Sequence, residues 1–228
     1  MKFSAALNIR AQIRPMPVRV IPISHRSVTG RLASRPGQPA IAFESSLERD
    51  FALLQLFDLT VESVEEQPVR IDYLTTGRRP SRYTPDFLVI HKGNAPAPRL
   101  VEVKYRAELE EKADQYAARF EAARIYAAGR GWSFHLATEE IIRTPLLGNA
   151  RFLLPYRRQV ADPDRCGRLM DTLSTAGSMA VGDLLRSVFP SLEGQQQGLP
   201  SLWHLVATGR IVVDLARPLT MASLLRTA

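Results

Sequence analysis

Two acidic residues and one lysine stand out in the stretch YTPDFLVIHKGNAPAPRLVEVKY, which covers residues 83–105. Asp86 precedes one apolar run, and Glu102 and Lys104 occupy alternate positions of the next. Because side chains alternate along a strand, Glu102 and Lys104 point to one face, where Asp86 on the neighbouring strand can reach the same spot. Two converging carboxylates repel each other, and a hard cation such as Mg²⁺ relieves that repulsion.

A lysine beside such a cation suits the hydrolysis of a phosphodiester. The Lys104 ammonium can orient or deprotonate an attacking water and stabilise the negative charge that develops on a phosphate. Glu102 and Lys104 also match an ordinary ion pair on a half-exposed strand, and these two residues alone leave that alternative open. Thiolate and zinc sites are disfavoured, because Cys166 is the single cysteine and the four histidines form no pair at helical spacing.

The elements that would position these residues alternate between helix and strand. In residues 43–57 apolar side chains recur at helical spacing, which predicts a helix with Ser45 as its N-cap. The order of the elements predicts an α/β fold whose helices cover both sides of a mixed sheet. The remaining predicted elements are strands in residues 61–74, 83–90, 99–105 and 132–138, a turn in 77–82 and a long helix in 107–128.

The last third of the chain has a different pattern. Residues 139–158 predict a connector that becomes a helix, and three short helices and a strand follow it. This order is typical of a winged helix, which often reads DNA through its third helix. The third helix here, LPSLWHLVATG, is apolar at its centre and favours docking to a protein instead. Trp203 and His204 are predicted to be core residues, and Cys166 a structural or surface bystander.

The net charge of +7 is concentrated at the start of the chain. Residues 1–43 contain no Asp or Glu, and the rest of the chain is balanced. Such a cationic arm suits a polyanionic partner such as DNA, although a solvated tail or an organelle transit peptide has the same composition. Its basic residues are Lys2, Arg10, Arg14, Arg19, Arg26, Arg31 and Arg35.

Together the strand motif, the acidic helix before it and the order of elements resemble the PD-(D/E)xK nuclease core. That core usually carries a further acid on its first helix, which we predict to be Glu48, with Glu44 as the second candidate. Ser45 and Glu48 also form a capping-box pattern, in which Glu48 would serve only to satisfy the backbone at the helix start. Both roles of Glu48 stay open.

Three segments, taken in order, resemble a narrower family, the TnsA-type endonuclease subunits of heteromeric transposases. They are GRLASRPGQPAIAFESSLERDF, YTPDFLV with LVEVKY, and IIRTPLLGNARFLLPYRR, and the similarity covers roughly residues 28–160. Some family members carry Gln where this chain has Glu102. The resemblance implies a restriction-endonuclease-like fold followed by a winged-helix-like domain, with bounds predicted at residues 1–40 for the arm, 41–150 for the nuclease domain and 151–228 for the C-terminal part.

The resemblance also assigns roles to residues of this chain. Mg²⁺ is the expected cofactor, and Mn²⁺ is expected to substitute for it. Position in the chain, rather than the resemblance, suggests DNA contacts by arginines in the turn before Asp86 and at the end of the connector helix, and a solvated basic loop accounts for each of these arginines equally well. The predicted catalytic residues are Glu48, Asp86, Glu102 and Lys104, the metal ligands Glu48, Asp86, Glu102 and Val103, and the DNA contacts Arg78, Arg79, Arg82, Arg157 and Arg158.

TnsA-type enzymes cut the 5′ strands at transposon ends, while the DDE-type transposase TnsB cuts and joins the 3′ strands. The AAA+ ATPase TnsC, which contacts the C-terminal domain of TnsA, couples these cuts to target choice. The resemblance therefore implies a bacterial cytoplasmic protein that works at the nucleoid, with transposon-end DNA, TnsB and TnsC as partners and no membrane. Two alternatives remain, a stand-alone restriction-like or repair nuclease and a non-catalytic DNA-binding adaptor.

Overall fold

The computed structural model describes residues 11–13, 28–75 and 77–228, and it describes the backbone alone at residues 11–13 and 94. The chain divides into two compact units, Met1–Ile142 and Arg143–Ala228. Most of the predicted basic arm, residues 1–40, lies outside the described residues. Within the described part of the chain, no helix is long and apolar enough to cross a membrane.

The first unit is built around a four-stranded mixed sheet and two small antiparallel sheets. In chain order its elements are β1 (Ala11–Ile13), β2 (Gly30–Leu32), β3 (Ile41–Phe43), α1 (Ser46–Phe57), β4 (Val61–Glu66), β5 (Val69–Leu74), β6 (Pro80–Tyr83), β7 (Phe87–His91), β8 (Arg99–Val103), α2 (Arg106–Glu111), α3 (Ala113–Ala128), β9 (Ser133–Ala137) and α4 (Glu139–Ile142). The main sheet has the order β4-β7-β8-β9, in which β8 and β9 run parallel and the other neighbours antiparallel. The small sheets are β1-β5-β6 and β2-β3.

Helices cover both faces of the main sheet, as the sequence predicts. On one face α1 packs in a core with Phe87, Val89 and Val101. On the other face α3 packs in a core with Leu88 and Leu100. The two cores take alternate residues of the same strands because successive side chains point to opposite faces. This arrangement fits a nuclease-like α/β core.

Two predicted elements of the first unit are wrong in detail. The helix predicted over residues 107–128 is interrupted at Lys112, whose backbone (φ −111°, ψ 23°) is not helical. The turn predicted at residues 77–82 is too long, since β6 already begins at Pro80. Proline has no N–H to donate, but it is tolerated as the first residue of an edge strand, which is where Pro80 lies.

Arg35 is bound to the body of the first unit. Its guanidinium donates hydrogen bonds to the main-chain carbonyls of Leu56 and Asp58, where α1 ends, and of Val61 and Glu62, where β4 begins. The last carbonyls of a helix lack partners within the helix, so these bonds satisfy groups that would otherwise need water. The charge of Arg35, which the composition assigns to a DNA-contacting arm, is therefore used inside the protein.

The second unit combines helices with a three-stranded antiparallel sheet of order β10-β12-β11. Its predicted helices are confirmed, and Trp203 is buried as expected, whereas His204 is only half-buried. Cys166 is buried. The predicted domain bound at residue 150 lies inside a helix, and the domain bounds stay predictions. In chain order the elements are α5 (Pro145–Arg158), α6 (Pro163–Ala176), β10 (Ser178–Ala180), α7 (Val181–Val188), α8 (Leu192–Ala207), β11 (Ile211–Val213) and β12 (Leu224–Thr227).

Candidate active site

Asp86 lies in the short link between β6 and β7, and its carboxylate binds the end of β8. Its Oδ2 accepts a hydrogen bond of 2.7 Å from the main-chain N–H of Val103. Continued by two residues, the register that pairs Phe87 with Val101 would set Val103 opposite Pro85. The Asp86 side chain takes the place of a strand partner there, and an N–H bound to a carboxylate is among the stronger hydrogen bonds.

Lys104 follows β8 directly, and its ammonium contacts three oxygen atoms. Nζ lies 3.0 Å from Glu102 Oε1 and 3.6 Å from Asp86 Oδ2. It also donates a hydrogen bond of 3.2 Å to the carbonyl of Val103. The main-chain N–H of Lys104 is bound to the carbonyl of Ala137 at 3.1 Å, so its backbone is held against β9. Two carboxylates and one carbonyl therefore converge on a single positive charge.

Glu102 is the most deeply buried member of this group, with 3% of its surface exposed. It lies on the face of β8 that carries Leu100 and packs against α3. Its Oε1 is paired with Lys104, and its Oε2 accepts a hydrogen bond of 2.7 Å from the hydroxyl of Tyr83. Burying a carboxylate this deeply costs free energy unless its oxygens form ion pairs or hydrogen bonds. Both oxygens of Glu102 have such a partner.

Glu48 lies in the first turn of α1, where the capping box predicted from the sequence forms in a modified version. The Ser45 hydroxyl accepts a bond of 3.1 Å from the Glu48 N–H and donates one of 3.0 Å to Glu48 Oε1. Glu48 Oε2 accepts a bond of 2.7 Å from the N–H of Glu44, one residue earlier than the usual capping box. Both carboxylate oxygens thus serve the helix start, and the role of Glu48 as a metal ligand stays a prediction.

The pKa values show that negative charge is concentrated at this site. Burial raises the pKa of Asp86 well above its ordinary value, and the Glu102 carboxylate raises it further. Burial also raises the pKa of Glu48. The Glu48 carboxylate lies near enough to Asp86 to raise the pKa of Asp86 in turn. Burial lowers the pKa of Lys104, but Asp86 and Glu102 outweigh that effect, so its pKa is raised and the ammonium stays charged. One ammonium only partly compensates these carboxylates.

The oxygen atoms at this site suit one kind of divalent cation. Within residues 28–75 and 77–228, no three His, Cys, Asp or Glu side chains are close enough together to hold a metal ion by themselves. Mg²⁺ does not need such a cage, since it is usually held by one or two carboxylates and keeps several waters. Asp86, Glu102 and the Val103 carbonyl supply hard oxygens that already converge on one cationic group. These residues fit Mg²⁺.

The predicted DNA contacts fall in two places. Arg78, Arg79 and Arg82 are exposed around the connection from β5 to β6, the strand that precedes Asp86, and Arg82 Nε lies 3.6 Å from Asp72 Oδ1. Arg157 and Arg158 belong to the second unit and end α5. The Nε of Arg157 donates to the carbonyl of Ala207, so part of that guanidinium is used to join α5 to α8.

Two residues of the site were not predicted from the sequence. The Tyr83 hydroxyl donates a hydrogen bond to Glu102. Gln67 lies opposite Asp86, and its main-chain nitrogen donates to the Asp86 carbonyl oxygen at 2.8 Å. The Gln67 amide donates to Glu44 Oε1 at 3.2 Å, while its own Oε1 is buried without a partner among the described residues. Strand pairing brings both residues to the site, and neither carries a signal in the local sequence.

Comparison with known proteins gives a match over this part of the chain. Residues 58–139, which include β4 to β9, match the family model described as TnsA-like endonuclease N terminal. No curated protein matches the chain. The matched segment contains Asp86, Glu102 and Lys104, and it indicates a nuclease related to Tns-type transposition. The resemblance inferred from the sequence is therefore confirmed over residues 58–139, where the chain is similar to the TnsA-like endonuclease N-terminal domain.

Proposed function

We propose that this protein is an Mg²⁺-dependent DNA endonuclease that cuts the 5′, non-transferred strands at the ends of a transposon. The observation that carries the proposal is the convergence of Asp86 Oδ2, Glu102 Oε1 and the Val103 carbonyl on the Lys104 ammonium. This convergence lies inside the segment that matches the TnsA-like endonuclease model. A surface ion pair would not need a carboxylate that is 3% exposed.

Each residue has a role that follows from its contacts. Asp86, Glu102 and the Val103 carbonyl would hold the cation, with Glu48 as the further predicted ligand. When bound there, Mg²⁺ would supply a Lewis acid for a phosphoryl oxygen. Lys104 would turn towards the scissile phosphate, where its ammonium orients the attacking water and offsets the developing negative charge. The raised pKa of Lys104 favours this charge-stabilising role over that of a general base in the unbound protein.

The DNA would reach the site along the β5–β6 connection. Arg78, Arg79 and Arg82 are exposed there, close in sequence to Asp86. Arginine is suited to phosphate because its planar guanidinium donates two parallel hydrogen bonds. Arg157 and Arg158 are proposed as further backbone contacts from the second unit, with the part of Arg157 that binds Ala207 contributing to folding.

We also propose that the second unit is a winged-helix-like module that docks to protein. The order α6, β10, α7, α8, β11, β12 and the antiparallel sheet support this assignment. Trp203, in the second half of α8, is buried and thus unable to read bases. The proposed partners follow from the resemblance: TnsB for cutting and joining the 3′ strands, and TnsC as the contact of the second unit.

Cleavage of a plasmid with cognate transposon ends tests the proposal. The supercoiled plasmid is incubated with Mg²⁺, this protein and the transposase encoded beside it, and the products are resolved on native and denaturing gels. The wild-type protein is expected to give double-strand excision, whereas Asp86→Ala and Lys104→Ala should leave nicks on the 3′ strands alone. Full release of the element by both variants would show that the assigned site is wrong.

The same assay separates the alternatives. Cutting by this chain without any partner protein would favour a stand-alone nuclease. Binding of the transposon ends with no 5′ cleavage under any divalent metal would favour a non-catalytic adaptor. Omitting Mg²⁺ should abolish 5′ cleavage, and Mn²⁺ should restore it.

A further inference from the structure

The Glu102 carboxylate is held from two opposite directions. Lys104 contacts Oε1 at 3.0 Å, and the Tyr83 hydroxyl donates to Oε2 at 2.7 Å. Lys104 lies on a flexible stem, and in the proposed reaction its ammonium turns towards the phosphate. Once that happens, the hydrogen bond from the Tyr83 hydroxyl still fixes the rotation of the carboxylate.

We propose that Tyr83 is a positioning residue of this nuclease site, whose hydroxyl holds Glu102 so that Oε1 faces the cation. This inference rests on the proposed function, because it gives a reason for the orientation of a predicted metal ligand. The terminal torsion of a glutamate is broad, so an unrestrained carboxylate would present either oxygen or neither. Residues that hydrogen-bond a ligating carboxylate orient it and tune the metal site.

Tyr83 is itself well held, as a positioning residue must be. Its side chain is 6% exposed, and its ring meets that of Phe120 edge to face with centroids 6.3 Å apart. Its backbone is fixed by the pairing of β6 with β5, where Tyr83 lies opposite Ile71. A tyrosine hydroxyl is protonated at neutral pH, so it remains a donor to Glu102 in practical assays.

The test compares Tyr83→Phe with Tyr126→Phe in the full-length chain. Both variants keep the ring and lose one buried hydroxyl, but the Tyr126 hydroxyl has no hydrogen-bond partner among the described residues. Mn²⁺ affinity is measured by electron paramagnetic resonance titration, and 5′ cleavage of transposon-end DNA is measured with the partner transposase present. Thermal unfolding followed by circular dichroism identifies a temperature at which every variant is folded.

Tyr83→Phe is expected to weaken Mn²⁺ binding roughly 10- to 100-fold, as for other groups that support a metal ligand. At subsaturating Mn²⁺ the kcat of cleavage should fall with it, while KM for DNA stays within about twofold. Excess Mn²⁺ should restore much of the lost kcat, which it would not do for a general loss of structure. Tyr126→Phe should match the wild-type protein in Mn²⁺ affinity, in the kcat of cleavage and in KM for DNA.

The outcomes distinguish failure of this inference from failure of the proposed function. A wild-type protein that neither binds Mn²⁺ nor cuts overturns the proposed function, whatever Tyr83 does. A wild-type protein that does both, with Tyr83→Phe equal to it within about twofold, overturns the positioning role. Should Tyr83→Phe not fold, Phe120→Leu keeps the hydroxyl but loosens its support. That variant should then weaken Mn²⁺ binding several-fold, and unchanged binding would count against the inference.

Discussion

The two compact units use their buried polar side chains in different ways. In the first unit Asp86, Glu102 and Lys104 carry ionisable groups, and the Lys104 ammonium contacts both carboxyl groups. In the second unit Asn149, one of the buried polar residues, is neutral and binds backbone. Its amide donates to the carbonyls of Leu215 and Arg217 at 2.9 and 2.7 Å, and its Oδ1 accepts from the N–H of Leu219 at 3.1 Å.

This difference separates a structural polar group from a candidate functional one. Asn149 fastens the segment between β11 and β12, and its hydrogen bonds are matched without any net charge. In the first unit the carboxyl groups of Asp86 and Glu48 have raised pKa values, so keeping them ionised lowers the stability of the fold. Groups that perturb one another in this way are characteristic of functional sites.

The comparison is tested most strongly by Asp86→Asn. Asparagine can still accept the Val103 N–H but removes the charge, so 5′ cleavage should fall on the order of 10³-fold, as when a main electrostatic group is lost. At the same time the variant should be more stable than the wild-type protein at pH 8. Gel assays and thermal unfolding at the same pH measure the two effects. A variant that is less stable at pH 8 would show that Asp86 serves the fold.

The stability gain of Asp86→Asn should depend on pH in a defined direction. The pKa of Asp86 is raised in the folded protein above its ordinary value of 3.8, so the folded state binds the proton more tightly than the unfolded state. The favourable contribution of Asp86 is therefore fully present below that ordinary value and is lost as pH rises through the folded pKa. The advantage of the variant should be largest at pH 8 and should shrink towards pH 4.

Glu48 combines a structural and a candidate functional role, because it caps α1 and lies near the charged cluster of Asp86, Glu102 and Lys104. Glu48→Gln keeps an acceptor for the Glu44 N–H, so the free energy of unfolding should change by less than about 0.5 kcal/mol. Cleavage should nevertheless fall roughly 100-fold if the carboxylate is a ligand. Ser45→Ala is the matched control, expected to cost about 1 kcal/mol of stability as a lost N-cap. Unimpaired cleavage by Glu48→Gln would reduce Glu48 to a cap.

Asn149→Ala should behave in the opposite way to the changes in the first unit. It removes three hydrogen bonds to main chain from a position that is 5% exposed. The expected cost is about 2 kcal/mol of unfolding free energy, since the freed carbonyls can partly rehydrate. Denaturant titration measures the cost, and Mn²⁺ titration should find the wild-type affinity. A change in Mn²⁺ affinity would contradict the separation drawn between the two units.

Much of the first unit follows from the sequence because its strands obey a simple alternation. Strand periodicity predicts that Asp86, Glu102 and Lys104 meet, and the described contacts agree. Tyr83 could not be predicted in the same way. Its bond to Glu102 depends on how β6 lies beside the main sheet, which no local pattern specifies. The same limit applies to Gln67, which register alone brings opposite Asp86.

Local patterns also miss interruptions of a helix and the tertiary partners of single charges. The Ala- and Glu-rich composition of residues 107–128 predicts one helix, yet the helix is interrupted at Lys112, whose backbone is not helical. Arg35 shows the opposite error, in which a charge assigned to an arm by composition proves to close the end of α1. Composition reports that a charge exists, whereas its partner is decided by tertiary structure.

The last prediction is a change in metal affinity that is small beside the losses of cleavage expected above. It concerns Lys104, because its ammonium contacts the same three oxygens that are proposed to hold the cation. The ammonium and the metal ion compete for those oxygens and repel each other, so Lys104→Met should tighten Mn²⁺ binding about tenfold, or roughly 1.4 kcal/mol, while cleavage is lost. Lys92→Met, at an exposed position after β7, is the control and should leave Mn²⁺ affinity unchanged. Tighter binding without cleavage would separate holding the metal from activating the water. Weaker Mn²⁺ binding would instead mean that Lys104 supports the metal ligands. The charged cluster would then have a structural role like that of Asn149, which contradicts the difference drawn between the two units.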